Sequence, residues 1–88
     1  MELHNLKSIS SKTVGLKQTA KAIQSGNARQ VFLAGDVDDY VANKIKMLCR
    51  EFQVPIIEVD SMKELGEACG IHVGAATAAI LNEAQDKK

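Results

Sequence analysis

Four consecutive apolar residues, Val31-Phe32-Leu33-Ala34, constrain the fold more than any other stretch of this 88-residue chain. Successive side chains of a β-strand point to opposite faces of the sheet, so an unbroken apolar run offers no polar side chain to water on either face. We therefore expect a strand that is covered by other elements on both sides. A chain of this length has room for one such core but not for two.

Strand and helix patterns alternate along the rest of the chain. Residues 12–14 and 56–59 are typical of short strands, whereas 75–81 suits either a helix or a buried strand. Three amphipathic segments lie between them. This order predicts one α/β domain over residues 1–88, with helices on both faces of a single sheet. Residues 1–10 are expected to form a short leading helix, and residues 85–88 a frayed tail.

Capping residues precede the second and third predicted helices. The turn Gly35–Asp39 contains three aspartates, which we expect to cap the helix that follows. Ser61 and Glu64 have the spacing of a capping box. The aspartates lack the ligand spacing of a calcium loop, so capping is favoured over a metal site. No metal and no cofactor are expected.

Charge is unevenly distributed along the chain, although the formal net charge is zero. Residues 1–30 contain five basic residues and one acidic residue, whereas residues 31–60 contain three basic and six acidic residues. This segregation favours an anionic partner for the N-terminal third, although lysines on a solvated helix give the same pattern. The chain has one tyrosine, two phenylalanines and no tryptophan, which argues against single-strand binding by base stacking.

The basic segment is centred on the start of the first predicted helix. Unpaired N–H groups and the macrodipole make a helix N-terminus a favourable place for an anion. Lys17 and Gln18 in the first turn have side chains able to reach base edges in a groove. Lys12 and Lys21 would approach phosphates. A lysine-rich helix start on its own is more often solvated surface than an RNA contact.

The loop Gly70-Ile71-His72-Val73-Gly74 is the second unusual segment. Branched apolar residues in a turn usually pack inward; exposed, Ile71 and Val73 would form an apolar platform for an unstacked base. His72 has no neighbouring serine or cysteine with which to form a nucleophile–base pair, so the loop does not indicate catalysis.

The two cysteines indicate a reducing compartment. Cys49 and Cys69 do not form a Cys-x-x-Cys pair, and each lies on the apolar face of a predicted helix. We expect both to be reduced core residues of a cytoplasmic protein. The N-terminal residues show no signal-peptide pattern, and no stretch is long and apolar enough to span a membrane.

Three segments occur in an order and spacing that are specific together: Gly15-Leu16-Lys17-Gln18-Thr19-Ala20-Lys21, then Val31–Asp38, then Leu65–Val73. They resemble the ribosomal L-seven-Ae and L-thirty-e family of kink-turn RNA-binding proteins, in particular its short bacterial, YbxF-like branch. The resemblance covers roughly residues 12–81. It implies a three-layer α/β/α sandwich with a mixed four-stranded sheet.

The resemblance also implies a function. Members of this family bind RNA at a sharp kink, where a bulge adjoins tandem sheared G·A pairs, and are not enzymes. The helix start would enter the groove at those pairs, with Lys17 and Gln18 facing the guanines, while the loop 71–73 would cover the extruded base. The RNA-binding residues expected on this basis are Lys12, Gly15, Leu16, Lys17, Gln18, Lys21, Gly70, Ile71, His72 and Val73. The expected partners of the monomer are a structured RNA with a kink-turn and the ribosome, and no membrane.

Two positions depart from the family pattern, and two other functions remain open. Leu16 replaces a usual threonine and so removes a hydroxyl, and Ser25 stands where many relatives carry a basic residue. One alternative is a protein-interaction module that uses the apolar loop 70–74. A small-molecule enzyme is less favoured, because the chain has only two arginines with which to hold an anionic metabolite.

Overall fold

Four strands and three helices alternate over residues 11–82, the part of the chain that the computed structural model describes. They are β1 (Lys12–Val14), α1 (Leu16–Gln24), β2 (Ala28–Ala34), α2 (Asp39–Phe52), β3 (Ile56–Val59), α3 (Met62–Cys69) and β4 (Thr77–Leu81). The predicted alternation is confirmed. The leading helix expected over residues 1–10 and the tail expected over residues 85–88 lie outside the described residues.

The four strands form one mixed sheet in the order β1-β4-β2-β3. β4 lies between β1 and β2 and runs antiparallel to both, whereas β2 and β3 are parallel. The parallel pair follows from the connection through α2, since parallel neighbours need a long crossover. A mixed four-stranded sheet is what the family resemblance implied.

Each face of the sheet carries its own apolar core. Val31 and Leu33 pack with α1 and α2, whereas Phe32 and Ala34 pack with α3. All four side chains are at most 2% exposed, as a strand covered on both faces requires. The result is the expected three-layer α/β/α sandwich.

The segment 75–81, which suited a helix or a strand, contains the strand β4. Ala78 and Ala79 are 0% exposed and face opposite cores. The intrinsic preference of alanine is for a helix. In a central strand, however, packing on both faces of the sheet decides the conformation. Ala75 and Ala76 precede the strand and belong to the loop that leads into it.

The predicted capping of α2 by aspartate side chains is wrong. Asp38 occupies the N-cap position, but its side chain accepts no hydrogen bond from the helix. Asp36 reaches across to α3 instead, where its Oδ1 accepts a 2.8 Å bond from the N–H of Met62. The turn after β2 lies beside the start of α3, which the sequence pattern does not reveal. Ser61 does cap α3 as predicted, because its Oγ accepts from Glu64 N at 3.1 Å.

Both cysteines are buried and free, as predicted. Cys49 packs in the core between the sheet and α1–α2, and Cys69 in the core beneath α3. Burial raises the pKa of each thiol; for Cys69 the positive charge of Lys12 partly opposes this rise. Protonated, buried thiols of this kind are structural residues rather than nucleophiles.

Candidate nucleic-acid interface

The conformation of Gly15 explains why α1 begins at a glycine. Gly15 is the N-cap residue and has φ 103° and ψ 159°, a region that other residues enter only with strain. A Cβ at this position would meet no atom within 4 Å. The backbone conformation, and not a lack of space, therefore selects glycine here.

The first turn of α1 is open to an anion. The first bond of the helix runs from Thr19 N to Gly15 O over 3.0 Å. Within residues 11–82, no side chain caps the N–H groups that precede it, and the turn contains no acidic residue. The partial positive charge of the helix N-terminus is therefore not offset locally.

The strand order places the start of α1 beside the start of β4, three residues after the loop 70–74. β1 pairs with the beginning of β4, where Ala78 lies opposite Val14. The backbone N–H of Gly15 then donates to the carbonyl oxygen of Thr77 over 2.8 Å. Gly15 and Thr77 are 62 residues apart in the sequence, yet this hydrogen bond joins them at one end of the sheet.

Threonine hydroxyls fix the elements that carry these segments. The Oγ1 atoms of Thr13 and Thr19 lie 2.9 Å apart and share a hydrogen bond, which ties β1 to α1. Thr77 Oγ1 donates to Phe32 O over 2.6 Å and ties the start of β4 to β2. Thr19 and Thr77 are both 0% exposed. Buried hydrogen bonds of this kind make the start of α1 a rigid part of the scaffold.

The loop 70–74 is held closely against α3. Gly70 ends the helix in the left-handed conformation with φ 83°, as glycine commonly does. Ile71 N donates to Gly66 O over 3.1 Å, and Ala75 N donates to Met62 O over 3.0 Å. A Cβ at Gly66 would overlap the carbonyl oxygen of Val73. The backbone of the loop thus rests directly on the helix.

The two branched residues of the loop have different environments. Ile71 is half-buried and packs against the core beneath α3, whereas Val73 is 70% exposed. His72, which lies between them, is exposed, and so is Gly70 before them. One expectation for this loop therefore describes Ile71, which packs inward, and the other describes Val73, which offers an exposed apolar surface.

The predicted polar residues separate into two groups. Lys17, Gln18 and Lys21 are exposed on α1, and Leu16 is half-buried in its first turn. Lys12 lies opposite Ile80 in the β1–β4 pair. Because Ile80 belongs to the core beneath α3, Lys12 is on the other face of the sheet. The exposed polar residues of α1 therefore share one helix, but the structure does not place Lys12 beside Lys21.

A groove of about 610 Å³ runs along α1 on the side of α2. Its lining comprises Leu16, Lys17, Ala20, Lys21, Gln24 and, from α2, Lys44. Sequence reasoning did not include Lys44. Its spacing from Val41 and Leu48, three residues before and four after, places it next to the inward face of α2, which was the available signal.

A smaller groove of about 220 Å³ lies on the other side of Lys21, toward β1 and β4. Gln18, Ser25 and Asn27 contribute polar groups to its lining. The Oδ1 atom of Asn27 is buried and makes no hydrogen bond within the described structure. Lys21 thus stands on a ridge between two grooves, and Ser25 supplies a hydroxyl to the smaller one.

The described structure contains little that suggests catalysis. Residues 11–82 hold no cluster of three or more histidine, cysteine or acidic side chains that could bind a metal ion. Asp36, Asp38 and Asp39 are exposed, and the one side-chain bond in this turn caps α3. Over the same residues, no helix has the length and apolarity needed to cross a bilayer.

Comparison with known proteins gives a consistent picture. The family described as "Ribosomal protein L7Ae/L30e/S12e/Gadd45 family" matches residues 3–88. An RNA-binding protein of Caldanaerobacter subterraneus subsp. tengcongensis is 50% identical over 68 residues, which cover 77% of this chain and 83% of that protein. The RNA-binding protein YbxF of Geobacillus stearothermophilus is 47% identical with the same coverage of both chains.

Solved structures show the same fold. The 15.5 kD RNA-binding protein of Giardia lamblia superposes with a TM-score of 0.82 at 25% identity, covering 91% of this chain and 68% of that one. A protein of unknown function from Bacillus halodurans also has a TM-score of 0.82 and 25% identity, with 93% and 85% coverage.

Proposed function

Because this chain belongs to the ribosomal protein L7Ae/L30e/S12e/Gadd45 family, we propose that it is a non-enzymatic RNA-binding protein that recognises kink-turns. Relatives that are 47–50% identical carry the name RNA-binding protein. Their similarity supports RNA as the ligand. Recognition of kink-turns in particular is inferred from the two parts of the site, the basic helix start and the exposed apolar residue of the loop 70–74.

The hydrogen bond from Gly15 N to Thr77 O is the observation that carries this proposal. It sets the uncapped, basic start of α1 beside the start of β4, three residues after a loop whose Val73 is 70% exposed. One ligand that presents polar base edges next to a displaced, unstacked base would match both parts. A kink-turn has this combination, since its G·A pairs adjoin a bulge.

Each exposed residue then has a role. Lys17 and Gln18 would contact the edges of the G·A pairs, and the uncapped N–H groups of α1 would face a phosphate. Lys21 would neutralise the backbone, and Val73 would pack against the extruded base. The major groove of regular A-form RNA is too narrow for side chains, so this mode of binding requires the distortion that a kink provides.

We propose a structured RNA of the ribosome as the cellular ligand, bound in the cytoplasm by a monomer. The ribosomal proteins of the family support this choice. Lys12, on the opposite face of the sheet from Lys21, would reach only an RNA strand that wraps around the β1 edge. Its part in binding is therefore proposed as secondary.

Affinity for a kink-turn RNA, compared with a straight duplex of equal length and base composition, tests the proposal. Both RNAs carry the same phosphate charge, so the non-specific electrostatic contribution is matched at a fixed salt concentration. We expect much tighter binding to the kink-turn. Equal affinity for the two RNAs would rule out kink-turn recognition.

The variant Lys17→Ala tests the placement of the RNA on α1. Loss of a direct base or phosphate contact should weaken kink-turn binding by about 1–3 kcal/mol. Lys46→Ala is the matched control, because Lys46 lies on α2 and pairs with Glu58 on β3 at 3.7 Å. That ion pair is largely exposed and contributes little to stability. Similar losses for the two variants would remove Lys17 from the site.

The exposure of Val73 also supports a second candidate function, a protein-interaction module that uses the loop 70–74. Salt distinguishes the two functions. RNA affinity falls steeply as salt rises because phosphate contacts release counterions, whereas an apolar contact responds weakly. A partner held by the loop with salt-independent affinity would favour the interaction module.

A further inference from the structure

The groove between α1 and α2 shares Lys17 and Lys21 with the RNA-facing surface of the proposed function and extends beyond that surface to Lys44 on α2. It follows α1 from Leu16 in the first turn to Gln24 at the C-terminal end. At 1.5 Å per residue this is a distance of roughly 12 Å. The groove therefore leads away from the helix start along the length of α1.

Three lysines border the groove, and none of them has an acidic partner within residues 11–82. Lys17 and Lys21 come from α1, and Lys44 comes from α2. The ion pair seen within residues 11–82 joins Lys46 to Glu58, so none of the three is neutralised there. Lys44 is only half-exposed and lines the groove from the side of α2. Lysine stems commonly cover apolar surface.

Leu16 gives the groove an apolar floor. Its side chain packs against the core shared by α1 and α2, and Ala20, one turn later, is 7% exposed. The groove therefore presents an apolar surface edged by three cationic groups.

From this geometry we infer that the groove binds the ribose–phosphate backbone of the RNA strand that continues past the G·A pairs. The inference rests on the proposed function and extends the bound surface to α2. The C–H groups of a ribose would pack on Leu16 and Ala20, and a phosphate would face Lys44. Unpaired lysines around an apolar floor favour a polyanion with an apolar sugar over a neutral protein segment.

Lys44→Met tests the inference because it removes the charge and keeps an aliphatic stem of similar length. Lys46→Met is the matched control on the exposed, β3-facing side of the same helix. Each variant is titrated with two kink-turn RNAs. In one, the helix that contains the G·A pairs extends by several base pairs; in the other, it ends just beyond those pairs.

We expect Lys44→Met to weaken binding of the extended RNA and to leave binding of the trimmed RNA unchanged. One phosphate contact adds about 0.7–0.9 to the slope of log affinity against log salt. A fourfold rise in salt should therefore weaken the wild-type complex with the extended RNA about threefold more than the variant complex. Lys46→Met should match the wild type with both RNAs.

Two results would overturn the inference while the proposed function stands. The first is that Lys44→Met binds the extended RNA as tightly as Lys46→Met does. The second is that Lys44→Met weakens binding of both RNAs by the same factor. In either case Lys17→Ala still weakens both complexes. If the wild-type protein binds the kink-turn RNA no more tightly than the straight duplex, the proposed function fails, and the inference fails with it. Amide chemical shifts of the wild-type protein give a second readout: the Lys44 amide should move only with the extended RNA.

Discussion

Replacing Gly66 with alanine should destabilise this protein, although the same change stabilises an ordinary helix. Gly66 is buried in the middle of α3. A Cβ there would overlap the carbonyl oxygen of Val73 and would lie 3.1 Å from the Cα of Gly74. These are backbone atoms, which cannot rotate away as a side chain does. The loop must therefore move, by roughly an ångström, to restore normal contact distances.

Opposing contributions set the size of the effect. Alanine is favoured over glycine by about 1 kcal/mol in a helix interior, whereas overpacking typically costs about 1–3 kcal/mol. Displacement of the loop also weakens the 3.1 Å bond from Ile71 N to Gly66 O, a bond worth about 1 kcal/mol. The expected net loss is about 1–2 kcal/mol, or a Tm lower by roughly 4–16 °C for a domain of this size.

Thermal and urea denaturation measure this effect, and kink-turn affinity measures its functional consequence. Glu67→Ala is the control, because Glu67 is the next residue of α3 and is exposed; its free energy of unfolding should change by less than about 0.5 kcal/mol. Gly66→Ala should also weaken RNA binding, since Val73 moves with the loop. A Tm equal to or above that of the wild type would refute the close packing of the loop on α3.

Three further outcomes follow from individual residues. Gly15→Ala should lower the free energy of unfolding by about 1–3 kcal/mol because of its φ of 103°; unchanged stability would contradict that conformation. Val73→Ser should leave the Tm nearly unchanged, since Val73 is 70% exposed, but it should weaken kink-turn binding. If the variant and the wild type bind the kink-turn with equal affinity, Val73 is excluded from the site. Burial raises the pKa of Cys49 and Cys69, so the unfolded chain loses thiol protons first as pH rises. The free energy of unfolding should therefore fall as the pH rises from about 8.5 to the raised pKa values of the native state. It should fall less steeply with pH in Cys49→Ala. An identical pH dependence in the variant and the wild type would contradict the raised pKa of Cys49.

Local patterns in the sequence determined most of the secondary structure. The apolar run Val31–Ala34 predicted a strand covered on both faces, and the Ser61 cap and Gly70 stop correctly delimited α3. These signals involve residues within about four positions of one another, where sequence and structure are most directly related. The family resemblance added the mixed sheet, which periodicity alone did not distinguish.

Contacts between distant segments were decided only by the tertiary structure. Asp36 caps α3 and not α2, Lys12 lies on the opposite face from Lys21, and Lys44 joins the groove along α1. Each of these facts depends on which strands are neighbours and on which face a helix packs. Insertion of β4 between β1 and β2 is the physical reason that Gly15 meets Thr77. The sequence by itself determined the helix start and the loop 70–74, and the strand order set the helix start beside the strand that follows the loop.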